Sequence, residues 1–219
     1  MDSTIIAAII GAVATLIAAL ISISFLKRKK KQLPTDSVKK SQAFRLGFNL
    51  SFIQYAVNMQ EKGIVLPNQD ELYEKELLRC RTIALSIGIK QPSTIEPKHV
   101  VNEMQILLEA FALEIRECFR LGMVIGMTYF AAVNHISALG SLKKPIDSEM
   151  LLIPQNTINQ IKKEKIHEKC NINEKMLKEI DSFWNEVINS AKAGTTNPSE
   201  DEKSMRNLID KFCGKIENA

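Results

Sequence analysis

An all-α protein, a bundle of about five to six helices with one long central helix behind an N-terminal transmembrane helix, is the architecture this 219-residue sequence predicts. Three observations predict it. Residues Ile5 to Leu26 carry no charged side chain and are followed at once by KRKKK. Nothing in the remainder alternates at the strand period, and no Asn-Gly or Asp-Gly hairpin turn occurs. Apolar residues recur instead at steps of three and four through most of the chain.

The 22 residues from Ile5 to Leu26 are interrupted only by Gly11, Thr15, Ser22 and Ser24. At about 1.5 Å per helical residue they cover the roughly 30 Å hydrocarbon core of a bilayer. A helix of a soluble core would show a polar face, and this one has none. A secretory signal carries its positive charges before the apolar run and ends at a small-residue cleavage site. Here the order is reversed: only Asp2 precedes the run, and Lys27, Arg28, Lys29, Lys30 and Lys31 follow it. Lys and Arg beside a span favour the cytoplasmic side. The expectation is an uncleaved single-pass signal-anchor in an inner or plasma membrane, its N-terminus outside and its body cytoplasmic. The chain then divides into an anchor with its basic cluster (1–31), a joint (32–36) and a cytosolic helical domain (37–219).

The net charge of +4 is all juxtamembrane, because residues 32–219 hold 24 basic and 24 acidic side chains. A nucleic-acid binder carries its basic excess on the folded domain, so no nucleic-acid partner is expected. The cluster reads as a topology signal lying against lipid headgroups. Ala7, Gly11, Ala14 and Ala18 line one face of the anchor, and small residues let spans approach closely in lipid. The expected partners are therefore the bilayer and either a second copy or another protein. Cys80, Cys118, Cys170 and Cys213 are scattered through helical sequence and read as free thiols of a reducing compartment. The abundance of Lys, Ile and Asn is that of an AT-rich, bacterial or phage genome.

In the body, the first helix is expected from Ser37 to Glu61, with Asp36 as N-cap and Gly63 closing it. Phe44, Phe48, Phe52, Tyr55 and Met59 form one stripe, and Leu46, Leu50, Ile53 and Val57 another roughly opposite, which places this helix centrally. The second starts at the cap Asn68, stops near Gly88 and shows the stripe Tyr73, Leu77, Cys80, Ala84, Ile87. From Pro97 onward Val101, Met104, Leu108, Phe111, Ile115, Cys118, Gly122, Ile125, Tyr129, Ala132 and Ile136 follow steps of three and four without a slip. That pattern predicts a coiled-coil-type seam on one helix about 60 Å long. Its apolar half has only 13 strictly apolar residues (121–133), a length that suits a buried core helix better than a second span. Three shorter helices follow: about 156–168, then 173–191, then one opened by the cap Asn197, with Pro198 in its first turn and Glu200 as capping-box partner.

Chemistry is sparse. His167 and Cys170 share the spacing H-x-x-C, but no further ligands complete a metal set, and His99 stands alone at a helix start. There is no phosphate loop, nucleophile elbow or paired carboxylate motif. No enzyme activity, cofactor or metal is expected. The tetrapeptide FRLG occurs twice, at 44–47 and 119–122, as a duplicated helical unit would give. If the two segments pack together, Arg45 and Arg120 become candidate anion or ligand contacts, with His135 a titratable neighbour of the seam. The leading expectation is a non-enzymatic, self-associating scaffold or adaptor organised by the seam. Two alternatives stand beside it: a membrane-perturbing effector using residues 121–139, and a tethered ligand sensor.

Overall fold

The computed structural model describes residues 34–63, 69–89 and 97–218. The anchor, its small-residue stripe and its basic cluster lie outside the described residues, as does the cap Asn68. The described chain is helical with no strand: α1 (Asp36–Glu61), α2 (Gln69–Ser86), α3 (Pro97–Leu108), α4 (Leu113–Ser141), α5 (Ser148–Glu164), α6 (Ile166–Lys169), α7 (Glu174–Lys192) and α8 (Pro198–Glu217).

The two apolar stripes of α1 place it at the centre. Phe44, Leu46, Phe48, Leu50 and Ile53 are all at most 1% exposed, and α2, α3, α4 and α8 all pack on this one helix. Thr35, and not Asp36, caps it: the Thr35 hydroxyl accepts from the Val38 N–H. Its closest neighbour is α4, and here the two FRLG segments meet. A Cβ on Gly47 would lie 2.1 Å from the Phe119 carbonyl oxygen, and a Cβ on Gly122 would lie 2.0 Å from the Phe44 carbonyl oxygen. Gly126 sits in the same way on Phe48 and Ser51. Residue numbers rise together along both helices, so α1 and α4 run parallel. Each glycine lies on the other segment's phenylalanine carbonyl, a local two-fold relation that matches the repeat in the sequence. A parallel pair cannot be joined by a short loop, and α2 and α3 supply the crossover.

The single 60 Å helix is not formed. The chain breaks between Leu108 and Leu113, where Ala112 turns extended (ψ 151°) and caps α4 without a side-chain bond. The reason lies in length. α1 has 26 residues, about 39 Å, and cannot cover a seam of 60 Å. Breaking the helix folds α3 back, so that Val101, Met104 and Leu108 enter the same core as Ile115, Cys118 and Ile125. The seam is thus buried inside one chain. A second departure follows at Tyr129–Val133, which winds as a π turn in which the Asn134 N–H reaches the Tyr129 carbonyl. The wider turn buries Tyr129, Phe130, Ala132 and Val133 together, four of five successive residues. Phe130 then meets Phe52 edge-on at 5.2 Å and Phe48 at 5.6 Å.

Among the described residues α4 is the one helix long and apolar enough to cross a bilayer, and 61% of its most apolar stretch is buried inside the fold. The first of the three shorter helices also starts earlier than the expected 156. Asp147 caps Ser148–Glu164 by accepting from the Glu149 N–H, and the helix carries Pro154 inside it on a buried position. Of the two asparagine caps, Asn173 accepts from the Met176 N–H at 3.0 Å, whereas Asn197 makes no side-chain capping bond. Asn173→Ala is therefore expected to lower the unfolding free energy by about 1 kcal/mol, and Asn197→Ala by a few tenths. Paired urea denaturation curves measure the difference.

Candidate binding cleft

α2 and α8 both lie on α1, and they leave a cleft of about 820 Å³ between them. Its floor is apolar and comes from Phe48 of α1, Ile83 of α2 and Ile209 of α8. Across the floor runs a charged bridge. Glu76 of α2, only 3% exposed, takes Arg206 of α8 at 3.2 Å. Arg206 also holds Glu202 at 2.8 Å, reaches the Asn49 side-chain oxygen at 3.3 Å and stands 5.9 Å over the Phe130 ring. Arg79, on the turn after Glu76, donates to the same Glu76 carboxylate. A buried carboxylate is costly unless paired and hydrogen-bonded, and this one has two guanidinium partners.

Each end of the bridge is placed by its helix. Glu76 falls three residues after Tyr73 and four before Cys80, on the buried stripe of α2. Arg206 follows the buried Met205 by one residue and Glu202 by four, the spacing at which side chains on a helix meet. Arg45 lines the same cleft and pairs with Asp210 of α8 at 3.1 Å. Lys75 of α2 and Lys203 of α8 stand exposed on the two walls.

The structure divides the residues singled out from the sequence. Arg45 is in the cleft. Arg120 is not among its lining residues and binds Glu164 at 3.0 Å and Glu117 at 3.7 Å. Although the FRLG segments pack together, their arginines serve separate carboxylates. His135 is half-buried on α4, and His99 is exposed. His167 is buried at 4% exposure, its Nδ1 3.4 Å from the Ile161 carbonyl oxygen. Among the described residues no group of three or more potential ligands gathers to hold a metal. All four cysteines are buried free thiols. Burial pushes the Cys80 thiol well above the ordinary range and raises that of Cys213. A hydrogen bond with Cys118, and then burial, does the same to Cys170. Such thiols are poor nucleophiles. Glu76 and Arg206, the centre of the cleft, were not marked by the sequence. The available signal was a glutamate on the apolar stripe of α2.

No known protein family, curated protein or solved structure matches the chain.

Proposed function

We propose that this chain is a membrane-tethered, non-catalytic binding module whose working site is the cleft between α2 and α8. The observation that carries this reading is the cleft itself: two helices held apart over an apolar floor and bridged by an ion pair whose carboxylate is buried. Concave sites of a few hundred to about 1,000 Å³, largely apolar with a few fixed polar groups, are where proteins take small ligands. This reading is preferred to the expected scaffold role of the seam, because ten of the seam's eleven residues, all but Phe111, are buried within one chain.

The tether is Ile5 to Leu26, with Lys27 to Lys31 on the cytoplasmic side and the helical domain beyond it in the cytoplasm. Self-association in this reading belongs to the anchor, through the face of Ala7, Gly11, Ala14 and Ala18. The apolar residues of α4 stay in the core, where the glycine contacts with α1 fix them. Alkaline carbonate washing of membranes from cells expressing the full chain tests the tether. The full chain is expected to stay with the bilayer and a chain lacking residues 5–26 to leave it. Release of the full chain into the wash would overturn the tether.

A further inference from the structure

Resting on the cleft reading above, we infer that the ligand is a small organic anion, an acidic group joined to an apolar body. The charges of the lining point to the acid. Arg45, Arg79, Arg206, Lys75 and Lys203 face only three carboxylates, Glu76, Glu202 and Asp210. All three carboxylates are engaged by arginines: Glu76 by Arg79 and Arg206, Glu202 by Arg206, Asp210 by Arg45. The cations left over are Lys75 and Lys203, one on each wall, so the excess of positive charge sits where a ligand enters between the helices. Arg79 adds to it, since its guanidinium has five N–H donors and is 42% exposed.

The floor points to the apolar body. Phe48, Ile83 and Ile209 offer no hydrogen-bonding side chain, and Leu72 and the 67% exposed Leu78 extend the apolar surface along α2. A bare phosphate or carboxylate would leave that floor wet and fill a small part of 820 Å³. A neutral apolar molecule would leave the lysines without a counter-charge. One acid group between the lysines with its body on the floor satisfies both, whether the acid is a phosphate monoester or a carboxylate.

Calorimetric titration of the full chain in phosphatidylcholine nanodiscs, with empty nanodiscs subtracted, tests this. The probes are 1-naphthyl phosphate, 1-naphthoate, 1-naphthol and inorganic phosphate. At least one naphthyl acid is expected to bind at least tenfold more tightly than both naphthol and inorganic phosphate. The better of the two acids identifies the headgroup. Lys75→Glu with Lys203→Glu is expected to weaken that acid at least tenfold and leave naphthol unchanged. Both lysines are exposed, so the fold is expected to persist, and the milder pair Lys75→Met and Lys203→Met should give a smaller loss in the same direction. Equal binding of naphthol and the acids, an unchanged affinity after charge reversal, or no binding by any probe would overturn the inference. Thr82→Trp, which fills the cleft from α2, separates the two levels. Neutral and acidic probes that bind alike and are both blocked by it overturn the anion alone; probes it does not block overturn the cleft reading as well.

Discussion

Replacing Gly122 by alanine is expected to lower the unfolding free energy by about 3–5 kcal/mol, well beyond an ordinary point change. The added Cβ would lie 2.0 Å from the Phe44 carbonyl oxygen and 3.0 Å from the Phe48 nitrogen. Both obstacles are backbone, so no rotamer change relieves the clash, and α1 and α4 must move apart. Gly47→Ala meets the Phe119 carbonyl oxygen at 2.1 Å and the Met123 nitrogen at 2.8 Å, and the same loss is expected. The two changes share one remedy, since a single separation of the helices makes room for both methyl groups. The double variant is therefore expected to lose clearly less than the sum of the singles, the mark of coupled sites. Gly214 supplies the control. It lies within α8 with nothing within 4 Å of an added Cβ, so Gly214→Ala is expected to be neutral or to stabilise by up to about 1 kcal/mol through helix propensity. Denaturant melts followed by far-ultraviolet circular dichroism report all four.

Arg206→Leu is expected to cost about 2–4 kcal/mol, because it leaves a buried carboxylate with only one of its two guanidinium partners. The stranded group is Glu76 at 3% exposure, and Arg79, itself 42% exposed, is left as its remaining cation. Asn49 and Glu202 lose their contact with Arg206 at the same time. The double variant Glu76→Leu with Arg206→Leu is expected to recover most of the loss, since well-packed apolar residues commonly replace a buried pair at little cost. A double variant no better than Arg206→Leu alone would mean that the guanidinium matters through Glu202, Asn49 and Phe130, and not through Glu76. The same denaturant melts decide it.

The helical class, the central place of α1 and the buried stripe of α2 were legible because each follows from periodicity within one segment. The repeated FRLG was legible too, and its meaning was steric: a glycine at the same place in two helices lets each backbone lie on the other. What failed was whatever depended on a partner's length. The steps from Val101 to Ile136 carry no sign that α1 ends before the seam does, so the break at Ala112 could not be read from them. The π turn at Tyr129–Val133 is likewise a response to neighbours, four side chains drawn inward toward α1 and α7. The helix expected at about 156–168 begins at Ser148 instead, because Asp147 caps the segment and the core accepts the ring of Pro154. The cleft was half legible. Arg45 stood out through FRLG and is there, while Arg206 carried no mark in its own segment and Glu76 was marked only by its place on the apolar stripe of α2. Only the fold brings them together, 130 residues apart in sequence.

The central claim is that this chain binds its ligand in the cleft between α2 and α8. A native mass spectrum of the full chain, released in the gas phase from the nanodiscs in which it was purified, tests that claim most directly. The account predicts one bound small molecule per chain, present in the unaltered protein and lost from Thr82→Trp. A bare chain, or an adduct carried equally by the cleft-filled variant, would contradict it.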